Sequence, residues 1–526
     1  MSVAEDGNIQ GYSEVSTTEG PVRGARRDGV WTFRGIPYAA PPVGPWRFAA
    51  PEPPSIRSTT LDALQYGPIS EQDLDPLPQA IPPTQENFFF PGATTSEDCL
   101  SLNVWTTDID GSSPVLVWIH GGAFMYGSGT GSWTDGTAHS KNSRIVVVSL
   151  NYRLGIAGGL FLGDIEPGAA NFGLLDQIAA LRWIKENIAS FGGDPARITI
   201  GGQSAGAMSV AALLASPLAR GLFQRAIVES GHLAATTSVD EAIVARDIVV
   251  RQLGLDPTDP QLLSKLRDVN ILRLLAIGRL NGLAVRSFPL VADGVSIVAD
   301  PLAAIRDGFA DGVDLLVGTN TEEDRLFALT GWTADETMTL RDDLARVIVD
   351  HERLALAVAL YTAIDEKTDL DRRHIFATDH GWGEPCRELA RAHSDAGNRV
   401  YHYEFEWKST ALNGKVGAAH LVELPFAFGN LSAPGTSALL GDKVAESAES
   451  LEVSSGMATA WGAFVSHGTP NPSPLPEWPT YTDTDRNTMV INIDSRVEKN
   501  RNAERLDFWQ STQSARPLAT VGDVAD

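Results

Sequence analysis

The sequence predicts an α/β fold, a mostly parallel sheet with helices on both faces. Three observations carry this reading. Short apolar runs of β type recur along the chain, helical patterns separate several of them, and the runs are continuously apolar, as in strands buried on both faces. The first hundred residues are rich in Pro and Gly and poor in helical pattern, which reads as irregular segments and edge strands. The first clear runs are Val115-Leu116-Val117-Trp118-Ile119 and Ile145-Val146-Val147-Val148. A helix is predicted over 174–190, where Leu174, Ile178, Leu181, Lys185 and Ile188 share one face and only the lysine is polar. Gly192-Gly193 supplies its stop. Further strands follow at Ile198-Thr199-Ile200, Ala226-Ile227-Val228, Leu315-Leu316-Val317 and Val400-Tyr401-His402-Tyr403. The stretch from about 240 to 400 is rich in helical pattern, with candidates at 240–253 and 335–361. These read as insertions between late strands that cover the carboxyl ends of the sheet, where such folds bind ligands. The residues after Trp509 are polar, and about 511–526 reads as a mobile tail.

Composition narrows the class. With 43% hydrophobic and 20% charged residues, the chain of 526 residues belongs with soluble globular proteins. Length alone would allow about three domains at ~150 residues each, yet α/β enzymes run long as one, and residues 1–526 are read as a single domain. Acidic residues outnumber basic ones, 66 to 41, which argues against nucleic acid and anionic membrane surfaces as partners. Two cysteines, Cys99 and Cys386, do not make a disulfide scaffold. The first residues lack a basic and an apolar signal region, so a cytoplasmic location is the default, and no apolar run is long enough to span a bilayer.

The chemistry is concentrated in Gly202-Gln203-Ser204-Ala205-Gly206. A β-type run leads in and the helix-like Ala207-Met208-Ser209-Val210-Ala211-Ala212-Leu213-Leu214 leads out, the strand–turn–helix setting of a nucleophile elbow. The glycines flank the serine because the turn leaves no room for side chains. An activated serine also needs donors for an oxyanion, a base and a group that orients the base. His120-Gly121-Gly122-Ala123-Phe124 directly follows the 115–119 run and resembles an HGGG-type oxyanion motif. After Leu315-Leu316-Val317 come three consecutive acids, Glu322, Glu323 and Asp324. Among the histidines that follow them are His374, His380, His393, His402, His420 and His467.

The chain resembles the type-B carboxylesterases, the cholinesterase-like α/β-hydrolases, and among them the bacterial para-nitrobenzyl esterases. The resemblance runs from about residue 14 to 510. It rests on Phe33-Arg34-Gly35-Ile36-Pro37-Tyr38, Ser96-Glu97-Asp98-Cys99-Leu100, Asn151-Tyr152-Arg153, Asn171-Phe172-Gly173-Leu174-Leu175-Asp176-Gln177, Gly192-Gly193-Asp194-Pro195 and Trp478-Pro479-Thr480-Tyr481. It implies the α/β-hydrolase fold, helical insertions over the active site, and hydrolysis of small to medium uncharged carboxylic esters by a serine enzyme that needs no metal or organic cofactor. It also implies three catalytic residues. Ser204 is the nucleophile and His420, in Gly417-Ala418-Ala419-His420-Leu421-Val422-Glu423-Leu424-Pro425-Phe426, is the base. The family's G-x-x-x-x-E-G register gives Glu323 as the acid, although Asp324 stands where the family has Gly, which leaves Glu322 and Asp324 in contention. The implied oxyanion donors are the N–H groups of Gly122, Ala123 and Ala205. Ser230 reads either as a side chain beside the triad or as a plain strand-end turn.

The resemblance implies structural pairs as well, Arg153 with Asp176 and Arg47 with Glu97. Asp194 and Asp293 read as turn formers and His120 as a shaper of its loop. The upstream partner that the family often gives the Cys99 cysteine is missing, so Cys99 is expected as a free thiol. Where cholinesterases carry Glu before the nucleophile and a Trp upstream, this chain has Gln203 and Phe88-Phe89-Phe90, which disfavours a choline substrate. The alternatives are a carbamate or amide hydrolase with the same triad, or a non-catalytic binding module, which the retained triad disfavours.

Overall fold

The computed structural model describes residues 9–72, 93–280, 290–329, 338–365 and 367–513. Phe88-Phe89-Phe90 and residues 514–526 lie outside the described residues. One sheet organises them. Its strands are β1 (Ile9–Thr17), β2 (Gly20–Arg27), β3 (Val30–Pro37), β4 (Leu61–Asp62), β5 (Ser101–Thr106), β6 (Ser113–Ile119), β7 (Val146–Leu150), β8 (Gly193–Gln203), β9 (Arg225–Glu229), β10 (Asp314–Asn320), β11 (Val400–Phe405), β12 (Asn487–Ile491) and β13 (Arg496–Lys499). In space the order is β1-β2-β3-β5-β7-β6-β8-β9-β10-β11-β12-β13, with β4 beside β2. From β7 to β12 every neighbouring pair is parallel, and antiparallel pairs close both edges.

The apolar runs became the central strands because both their faces are covered. Val115, Val117, Val146, Val148, Ile198 and Ile200 join the helix Phe172–Asn187 in one core layer, while Leu116, Trp118, Val147, Leu316 and Tyr403 join the helix Ala448–His467 on the other face. The predicted helix at 174–190 is thus in place, and Gly192 at φ 76° turns the chain out of it. The opening segment is more regular than its Pro and Gly content suggests: β1, β2 and β3 form an antiparallel meander at the sheet edge.

The helices of 240–400 fall between β9, β10 and β11, as expected. The predicted helix at 240–253 appears as Val239–Gln252 with a capping box at Ser238 and Glu241. The candidate at 335–361 is two helices, Leu340–Val347 and His351–Thr362, with 335–337 outside the described residues. The break has a local cause. Val347-Ile348-Val349 is a β-branched run, and the Asp350 side chain accepts from the Arg353 N–H to start a new helix. At the chain's end the helix Ala503–Gln513 reaches past the expected start of the tail at 511, because Leu506 and Trp509 are buried. No described helix is long and apolar enough to cross a membrane.

The implied structural pairs form. Arg153 and Asp176 meet at 2.6 Å in the interior, and Arg47 meets Glu97 at 2.5 Å. Asp293 and Asp194 accept backbone N–H groups within their own turns. Cys99 and Cys386 are free, buried thiols.

Candidate active site

The carboxyl ends of β6, β8 and β10 lie close together in the sheet and deliver three loops to one place. Ser204 leaves β8 at φ 56° and ψ −125°, outside the comfortable regions for a residue with a side chain, and the helix Ala205–Leu214 begins at once. The two glycines are steric requirements. A Cβ on Gly202 would sit 2.5 Å from the Gly206 carbonyl carbon, and one on Gly206 would collide with the Ile119 carbonyl oxygen.

The loop after β6 packs against this turn. A Cβ on Gly121 would stand 3.2 Å from the Ser204 Cβ. Gly122, Ala123 and Phe124 all take positive φ, of 113°, 55° and 58°. Among the described residues the N–H groups of Gly122, Ala123 and Ala205 have no hydrogen-bond acceptor. His120 stacks on Tyr152 with ring centroids 4.4 Å apart, and burial lowers its pKa to about 4. It is thus a neutral ring fixed at the base of this loop.

The three consecutive acids separate completely. Glu322 accepts from the Ala418 N–H at 3.0 Å and is paired with Arg325 and Lys408. Asp324 meets His374 at 2.8 Å. Glu323 alone reaches His420, with Oε2 2.6 Å from Nδ1. Its other oxygen accepts from Ser230 Oγ at 2.5 Å and from the Asn320 N–H at 2.7 Å. Ser230 therefore sits beside the acid. Of the six candidate histidines, His420 pairs with Glu323 and reaches Gln203, the residue before Ser204, while His374 pairs with Asp324. His402 contacts Thr488 and His393 contacts the Val313 carbonyl. Among the described residues Ser204 Oγ makes no hydrogen bond to His420. The His420 Nε2 atom lies 3.2 Å from Gln203 Nε2.

Several residues at the site escaped the sequence reading. Trp382 and Phe327 lie against the His420 ring, with centroids at 4.6 Å and 5.0 Å, and stack on each other at 5.7 Å. Trp382 sits in a π-helical turn, Asp379–Gly383, a local widening that leaves no periodic signal. Two more buried acids lie behind the ring. Glu423 accepts from Asn320 Nδ2, and Glu229 accepts from Trp461 Nε1 at 2.6 Å. Burial, reinforced by Glu423, pushes Glu229 well above the usual carboxylate range. Burial also raises Glu423, with the Glu323 charge adding to it. Their position at a strand end and three residues past the histidine was the available signal.

A parallel sheet that offers a strained serine at the end of a central strand, with a histidine–carboxylate pair from later loops, is the architecture of an α/β-hydrolase. Solved structures share it. A thermophilic PNB esterase superposes with a TM-score of 0.82 at 33% identity, covering 94% of this chain and 99% of the other. A carboxylesterase of Geobacillus stearothermophilus superposes with a TM-score of 0.82 at 36% identity, covering 94% and 100%. In sequence, the para-nitrobenzyl esterase of Bacillus subtilis is 36% identical over 499 residues, 93% of this chain and 97% of the relative. The cocaine esterase of Homo sapiens is 33% identical over 93% of this chain and 88% of its own. The Carboxylesterase family matches residues 12–509. The chain belongs to that family and is a carboxylesterase.

Proposed function

We propose that this carboxylesterase cleaves small to medium uncharged esters through an acyl-enzyme, with Ser204, His420 and Glu323 as its triad. The observation that carries the reading is the 2.6 Å contact from His420 Nδ1 to Glu323 Oε2 beside a serine held at φ 56°. Ser204 Oγ attacks the ester carbonyl and its proton passes to His420 Nε2. The carbonyl oxygen, now an anion, accepts from the N–H groups of Gly122, Ala123 and Ala205, each worth ~10²–10³ in rate in such sites. The bond to the alkoxy oxygen breaks as His420 returns the proton to the leaving alcohol. Water then attacks the acyl carbon, gives a proton to His420, and Ser204 is released with that proton as the acid departs. Glu323 keeps Nδ1–H in place and offsets the imidazolium charge. Ser230 touches the acid, and Gln203 touches the base at Nε2.

The test is hydrolysis of p-nitrophenyl esters from acetate to palmitate by the wild type and by Ser204→Ala. Short and medium chains turn over, and the variant loses roughly 10⁶-fold in kcat. Undiminished turnover by Ser204→Ala would overturn the assignment of the nucleophile.

A further inference from the structure

Gln203 and Glu229 are register partners on adjacent parallel strands, so their side chains stand together on one face of the sheet. Both are buried. The Gln203 amide nitrogen lies 3.2 Å from His420 Nε2. The other side of the ring decides what this contact is. Nδ1 faces the Glu323 carboxylate at 2.6 Å, so Nδ1 carries the proton and a neutral imidazole presents a lone pair at Nε2. Gln203 must therefore offer its NH2 there, and its Oε1 is left buried without a partner. That oxygen points toward the loop after β6, 3.0 Å from where a Gly121 Cβ would stand.

The charges around the ring explain why an amide suits this place. From the loop after β10 come Glu323 and Glu322, the latter held by Arg325 and Lys408. Just beyond them Asp324 is occupied by His374. From the histidine's own loop comes Glu423, and from the end of β9 comes Glu229. The helix Glu384–Asp395 contributes Cys386, whose thiol is pushed up by burial and by Glu323. His232 lies beyond Trp382. Glu229, Glu323 and Glu423 are all fully buried. A carboxylate at position 203 would add another negative charge directly at Nε2 and favour the imidazolium over the imidazole.

We propose that Gln203 is a positioning residue for the base: its carboxamide holds the His420 ring by the Nε2 lone pair in the resting enzyme and, being uncharged, adds no negative charge at that nitrogen. This rests on the reading of His420 as the base.

The test is the pH profile of kcat/KM for p-nitrophenyl butyrate, from about pH 5 to 9, in the wild type, Gln203→Glu and Gln203→Met. In Gln203→Glu the acid limb moves up by about one pH unit, so at the wild-type midpoint its kcat/KM lies roughly elevenfold below its own plateau, against about twofold for the wild type. Gln203→Met loses activity at all pH values and keeps the wild-type limb. Coincident limbs in the wild type and Gln203→Glu would overturn the proposal. So would an upward shift in Gln203→Met equal to that of Gln203→Glu, because lost packing would then account for both. If Gln203→Glu does not fold, nitrogen-15 shifts of the His420 ring in the wild type decide, assigned against His420→Gln. Protonated Nδ1 with a bare Nε2 at neutral pH supports the proposal, and protonated Nε2 overturns it. A wild type without Ser204-dependent hydrolysis would show in the first arm alone, and would remove the triad reading and this inference together.

Discussion

Ser230 donates from Oγ to Oε1 of Glu323 across 2.5 Å, from a backbone held at φ 52°. With the Asn320 N–H on the same oxygen and His420 on the other, the carboxylate is held on both sides. Hydrogen bonds to a charged acceptor contribute about 1.5–3 kcal/mol each. In Ser230→Ala, Glu323 gains freedom to rotate away from Nδ1. We expect kcat to fall roughly 10- to 100-fold with KM within about twofold. Steady-state kinetics on p-nitrophenyl acetate checks this, and an unchanged kcat would mean that the Asn320 N–H alone fixes the acid.

Trp382 makes a second prediction. Its ring lies against His420 and stacks on Phe327 at 8° between planes, so an aromatic wall borders the base. A planar leaving group gains a stacking surface there, and such contacts contribute about 0.5–1.5 kcal/mol beyond area burial. Trp382→Ala should therefore lower kcat/KM for a phenyl ester up to about tenfold more than for an ethyl ester of the same acid. Equal losses on both esters would assign Trp382 to the support of the ring rather than to substrate.

The third prediction concerns stability in acid. Burial holds His120 and His139 at about 4, and burial with the Arg387 charge holds His402 at about 3, all against an ordinary value of 6.5. Because the folded values are depressed, the unfolded chain binds these protons first as pH falls. The stabilisation is complete above about pH 6.5 and is lost progressively toward pH 4 and below. Each ring contributes a slope of roughly 1.4 kcal/mol per pH unit inside that window. Urea midpoints across the range should fall accordingly, and His402→Gln should flatten the slope by about one such share. A slope unchanged in that variant would show that His402 is already protonated in the fold.

What could be read in advance was whatever is dictated locally. The elbow was legible because a positive-φ serine between colliding backbones admits only glycine at Gly202 and Gly206, whatever the rest of the chain does. The buried strands were legible because cover on both faces demands apolar residues without interruption. Glu322, Glu323 and Asp324 are told apart by register and not by composition: three adjacent acids face three different partners, Ala418 with Arg325 and Lys408, His420, and His374. The break before Asp350 was readable from its β-branched run and cap, but helical periodicity across it masked both. Trp382 gave no sign, since a π-helical turn has no repeat and its partners Phe327 and His420 are remote in sequence.

The site is also assembled late. Gln203 meets His420 across 217 residues and Glu323 meets it across 97. A ribosome building this chain finishes the serine turn long before it reaches the histidine loop. On the proposed mechanism, every nascent or prematurely ended chain that stops short of His420 holds a strained serine with nothing to receive its proton. On the same mechanism, turnover waits for the segment that carries His420.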